Sequence, residues 1–145
     1  MIAPPRDTAR TMSRENVEFV RAQYERWNAR DFEGWIEAFD PEVEYLSSVA
    51  ASLDGGGEYH GHEGLRRFVR EYFEGWEHFQ LEPTEYLETG PKVATMMRAV
   101  ARGRGSGAQV DREFAHVWTF RDGRPIRHES FATREEALRA AGLVP

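Results

Sequence analysis

His116 is the side chain in this sequence best placed by spacing to move a proton, because a tight turn downstream brings a carboxylate back toward it. Asp122-Gly123 has the composition of a two-residue hairpin loop, in which both central positions take backbone angles that Asp and Gly tolerate. Such a loop pairs Arg121 with Arg124 and fixes every pair behind it. Phe120 then faces Pro125, Trp118 faces Arg127, His116 faces Glu129 and Phe114 faces Phe131, all on one side of the sheet. The opposite side carries Ala115, Val117, Thr119, Ile126 and His128. The first set holds the larger aromatics, which assigns it to the buried, concave side. A histidine oriented by a carboxylate titrates near neutral pH and serves as general acid or base, so His116 and Glu129 form the leading catalytic pair. A buried His-Glu pair also forms simply to satisfy two polar groups, and that alternative stays open. A three-residue loop would slip the register and separate the two.

The remaining candidates carry weaker chemistry. His60 and His62 flank Gly61 and could join His116 or His128 around a metal, but no carboxylate-rich spacing supports such a site, and no metal is expected. Tyr24, Trp27, Tyr45 and Trp118 have the types and spacing to shape an aromatic cavity, with Phe114 beside His116 on the same strand face, although aromatics at helical spacing are also ordinary core. Arg102, Arg104 and Arg112 cluster beside a glycine-rich turn and read as a solvated tip. Gly55-Gly56-Gly57 lacks the lysine and hydroxyl of a phosphate loop and reads as a flap over a pocket mouth.

Positioning these residues requires several elements. A leader over residues 1–12, with two prolines and no periodicity, is expected to be disordered, with one domain over 13–145. Ser13 caps a helix whose stripe is Val17, Val20, Tyr24 and Trp27, and Asp31 caps a second helix carrying Phe32, Trp35, Ile36 and Phe39, stopped by Pro41. A strand over Val43–Val49, an irregular stretch from Leu53 to Gly61 and a helix from His62 to Trp76 follow. Extended segments are expected over Phe79–Glu88, Lys92–Arg102, Gln109–Phe120 and Pro125–Phe131. Thr133 to Glu136 resembles a capping box opening a last short helix that ends at Gly142.

Composition narrows the function classes. The 145 residues, 40% of them hydrophobic, suit one core. A net charge of -6 with pI near 5.4 argues against nucleic acid and anionic membrane surfaces as partners. Without cysteine there are no disulfides, thiolate metal sites or thiol nucleophiles. No apolar run reaches the length of a membrane span, and a cytoplasmic protein is expected.

The order of elements is α+β. The stretches ENVEFVRAQYERWNARDFEGWIEAFDPEVEY, YHGHEGLRRFVREY and FAHVWTFRDGRPIRHESFATREEAL resemble the SnoaL-like branch of the nuclear transport factor 2-like superfamily, which includes polyketide cyclases, ketosteroid isomerases and limonene epoxide hydrolases. That resemblance implies a cone: a curved antiparallel sheet wrapped around the helices, with a pocket at its wide end. It places the steroid isomerases' tyrosine, base and protonated aspartate near Gln23, Ser47 and His116. It places two members of the epoxide hydrolases' Asp-Arg-Asp set at Arg98 and Glu129, with Val100 where a carboxylate is expected. SnoaL-type cyclisation needs little beyond one acid-base group in an apolar cavity. The expectation is a pocket for a small apolar ligand without cofactor, serving either an isomerase, cyclase or hydrolase or a non-catalytic binding or assembly module. Val117, Thr119 and Ile126 on the outer face suggest homodimerisation through the sheet.

Overall fold

Val20, Tyr24 and Trp27 bury one side of α1 (Arg6–Asn28), and Trp35 and Ile36 bury one side of α2 (Phe32–Ala38). The computed structural model describes the backbone of residues 6–47 and 57–145. Asp31 caps α2 by accepting from the Gly34 N–H at 3.1 Å. The chain continues through β1 (Glu44–Ser47), β2 (Gly57–His60), α3 (Gly61–Gly75), β3 (Trp76–Thr89), β4 (Lys92–Gly103), β5 (Gln109–Arg121), β6 (Arg124–Phe131) and α4 (Arg134–Ala140). The six strands form one sheet in the order β2-β1-β6-β5-β4-β3, antiparallel except for the parallel β1–β6 pair. This is the α+β cone: α1, α2 and α3 fill the concave side of the curved sheet, and α4 covers part of the convex side.

Three boundaries differ from the sequence reading. Of the leader expected over 1–12, residues 1–5 lie outside the described residues and 6–12 continue α1. Residues 57–60, expected to be irregular, pair with β1 from Ser47↔Gly57 to Glu44↔His60, while Gly55 and Gly56 of the expected flap lie outside the described residues. The third helix joins β3 directly, without the gap expected before Phe79.

Asn28, at the last residue of α1, fixes that helix to the edge strand. Its amide donates to the Leu81 carbonyl at 2.8 Å and accepts from the Leu81 N–H at 2.9 Å, completing the ladder of a residue with no strand on its far side. Asn28→Ala removes both bonds and is expected to cost about 1–3 kcal/mol, measured as a lower urea midpoint at unchanged slope.

The β5–β6 hairpin holds the decisive correction. Asp122 and Gly123 take φ of 53° and 79°, and Arg121 pairs with Arg124, as the two-residue loop requires. Phe120 faces Pro125, but Thr119 faces Arg127, so Ile126 is an extra residue and β6 is bulged. Pro125 has no N–H to give the ladder, which makes its neighbourhood the natural place for that break. Beyond the bulge every residue of β6 changes face: Trp118 pairs with His128, Val117 with Glu129 and His116 with Ser130.

α4 also alters the expected outer face. Thr133 caps it by accepting from the Glu136 N–H, and its Ala137, with the following Ala141, packs on Ala94, Met96, Ala115 and Val117. Val117 is fully buried there, whereas Thr119 and Ile126, the other two residues of the expected dimer face, are half-buried.

Candidate functional site

The concave face of β5 presents Phe114, His116 and Trp118 toward α1, and the bulge adds His128 and Ser130 from β6. Tyr24 and Trp27 on α1, Phe68 and Tyr72 on α3, and Tyr45 and Ser47 on β1 complete most of the wall. The side chains fill the cone so closely that the cavity is about 40 Å³, well below the roughly 150 Å³ that accommodates a benzene ring. A ring-sized ligand therefore requires the wall to part.

One hydrogen-bonded chain organises the polar part of that wall. The Trp118 indole N–H donates to Tyr24 Oη at 3.0 Å, and Tyr24 Oη lies 2.9 Å from His116 Nδ1. Thr95 also stands beside Tyr24, but its hydroxyl makes no well-formed hydrogen bond. An indole nitrogen can only donate, so the phenol oxygen accepts from Trp118, while the direction of its bond to His116 Nδ1 depends on which imidazole nitrogen carries the proton. When the Tyr24 proton goes to His116 Nδ1, the imidazole carries its own proton on Nε2, and that nitrogen is a neutral donor.

Burial decides the charge state. Desolvation lowers the His116 pKa to about 3 and raises that of Tyr24 above the usual phenol range, so both stay uncharged through the physiological range. Desolvation, and secondarily the neighbouring His116, also hold His128 well below its ordinary value. The His116 and His128 ring centroids are 4.3 Å apart, and His128 stacks on Tyr45 at 4.3 Å with 3° between the planes.

Of the residues singled out from the sequence, Tyr24, Trp27, Tyr45, Phe114, His116 and Trp118 all line the cavity. Two do not. Glu129 projects from the convex face and approaches Arg127 at 3.3 Å, so the His116–Glu129 pair is not formed; the bulge at Ile126 separates them. Arg98 also lies on the convex face, bound to Asp111 and 3.6 Å from Glu82, because it alternates with the core-facing Met97 and Ala99. His60 and His62 turn to Glu42 and to the Phe39 carbonyl, away from the cavity. Gln23, nearest the isomerase tyrosine by the resemblance, donates to the Trp35 carbonyl, while the adjacent Tyr24 reaches the cavity. His128 was missed because it sits on the outer face in an unbulged register; Pro125 was the only available signal.

Comparison with known proteins agrees with this architecture. The SnoaL-like domain family matches residues 20–128, which is most of the chain. The chain belongs to the SnoaL-like family. An NTF2-like protein of unknown function from Burkholderia pseudomallei superposes with a TM-score of 0.75 at 28% identity, over 86% of this chain and 95% of that one. TerC, co-crystallised with polyporic acid, superposes at 0.74 with 26% identity, over 88% of this chain and 98% of that one. A candidate SnoaL-like polyketide cyclase from Jannaschia superposes at 0.70 over 100% of this chain and 99% of that one; at 22% identity it speaks for the fold alone. No curated protein matches. Among the described residues, no helix of this SnoaL-like domain is long and apolar enough to cross a membrane.

Proposed function

We propose that this SnoaL-like domain binds a flat, uncharged, oxygen-bearing small molecule between its aromatic walls and anchors one oxygen on the Nε2–H of His116. What supports this reading is the Trp118–Tyr24–His116 chain: with the Tyr24 proton on His116 Nδ1, the Nε2–H of the cavity-lining His116 is left as a neutral donor. No carboxylate lines the cavity among the described residues, and an unpaired charge buried there would be costly, so the fit is to a neutral ligand. TerC, similar over most of the chain, was co-crystallised with the small molecule polyporic acid, which supports a small-molecule role.

Catalysis of the isomerase, cyclase or hydrolase kind is the second reading, favoured by the same donor. A neutral imidazole N–H on a carbonyl oxygen polarises that carbonyl. His116 serves in that scheme as electrophile rather than base, because a pKa near 3 makes it a poor proton acceptor at neutral pH.

Titration with 1-tetralone and with its deoxygenated counterpart tetralin, followed by tryptophan fluorescence, tests the binding. His116→Phe is expected to weaken the ketone about tenfold, the loss of one buried hydrogen bond of about 1.4 kcal/mol, while leaving tetralin unchanged. Glu129→Gln is expected to change neither. Equal ketone and hydrocarbon affinities, or an equal loss with Glu129→Gln, overturn the assignment.

A further inference from the structure

Trp27 is 3% exposed, lines the cavity, and its indole Nε1–H has no acceptor. The ring is packed among Phe32, Trp35, Phe68, Tyr72, Phe73 and Phe79, at centroid distances of 4.9–6.0 Å. Such an aromatic cage rewards hydrocarbon surface and gives nothing back for a desolvated N–H. Tyr24 and Trp118 show the contrast, since the Trp118 indole in the same wall has its acceptor. An unpaired buried donor in a cavity wall is the complement of an acceptor on whatever occupies that cavity.

Position defines the second half of the argument. Trp27 follows Tyr24 on the same face of α1, so the two side chains stand about one helical turn, roughly 5 Å, apart along the axis. Tyr24 holds His116. The wall thus carries an indole donor set by α1 and, with the Tyr24 proton on His116 Nδ1, an imidazole donor set by β5.

Resting on the small-molecule reading above, we propose that Trp27 is a ligand-binding residue whose Nε1–H donates to a second ligand oxygen, so that this pocket selects flat molecules carrying two acceptor oxygens on one ring framework. His116 takes one oxygen and Trp27 the other. A molecule with a single oxygen leaves one donor unmet, and a hydrocarbon leaves both.

The test uses 1,4-naphthoquinone and naphthalene with the full-length, 15N-labelled protein, which has four tryptophans and therefore a short list of indole resonances to assign. The chain has no cysteine to react with the quinone. Naphthoquinone is expected to bind and move the Trp27 indole N–H downfield, whereas naphthalene binds without that movement. Trp27→Phe is expected to weaken naphthoquinone about tenfold and leave naphthalene within twofold. The wild-type spectrum stands by itself if the variant fails to fold. Binding of both probes with the Trp27 resonance unmoved in the downfield sense overturns the role of Trp27 and leaves the pocket intact. Failure of both probes to bind overturns the small-molecule reading and this inference with it.

Discussion

Replacing His128 by phenylalanine is expected to stabilise this domain by about 1 kcal/mol at pH 7, and by more as the pH falls. The ring is 1% exposed, stacked on Tyr45, and its Nδ1 has no partner, so phenylalanine keeps the stacking and removes a buried polar atom of the kind that costs about 1–3 kcal/mol. The pH dependence follows from the depressed pKa values of His128 and His116. In the unfolded chain each imidazole takes up a proton near pH 6.5; in the folded chain each resists it until far lower, about 3 for His116. Between those limits the unfolded state binds more protons, so stability is full above pH 6.5 and is lost progressively as the pH falls toward 3. Urea denaturation from pH 4 to 8 should show wild type losing stability steeply below pH 6 and His128→Phe losing less. An identical slope in the two proteins would mean that His128 is not a buried neutral base.

Tyr24→Phe is the substitution expected to cost most for the fewest atoms. The hydroxyl accepts from Trp118 and is hydrogen-bonded to His116, both buried, so its removal strands an indole N–H and an imidazole nitrogen together. At about 1–3 kcal/mol for each stranded group, the expected loss is about 2–6 kcal/mol. Thr95→Val provides the contrast. Its hydroxyl is equally buried and beside Tyr24 but makes no hydrogen bond, so isosteric replacement is expected to be neutral or slightly stabilising. The urea midpoints of these two variants, one residue apart in space, separate a bonded hydroxyl from an unbonded one. A Tyr24→Phe loss below 0.5 kcal/mol, on the order of a surface substitution, would show that the relay is not formed.

Much of this fold is legible in the sequence because periodic burial and turn chemistry are local. The stripe of Val20, Tyr24 and Trp27, the cap at Asp31 and the positive-φ turn at Asp122-Gly123 each follow from a few neighbouring residues. The cavity wall followed for the same reason: once β5 alternates, Phe114, His116 and Trp118 share a face. The catalytic pair did not follow, because strand register is a cumulative property and one inserted residue reverses it. Ile126 moved Glu129 out and His128 in, a change visible beforehand only as a proline where a ladder donor was needed. Arg98 failed differently, since it was placed by family resemblance rather than by alternation, which points it to solvent beside Asp111.

The central claim is that His116 is a neutral hydrogen-bond donor held by Tyr24, independent of Glu129. Its most direct test is 15N NMR of the His116 imidazole in the ligand-free protein from pH 8 down to 4.5, in wild type and in Glu129→Gln. The account predicts the Nε2–H tautomer throughout, no ionisation over that range, and superimposable spectra for the variant. A His116 that ionises near pH 6.5, carries its proton on Nδ1, or shifts when Glu129 is changed would contradict it.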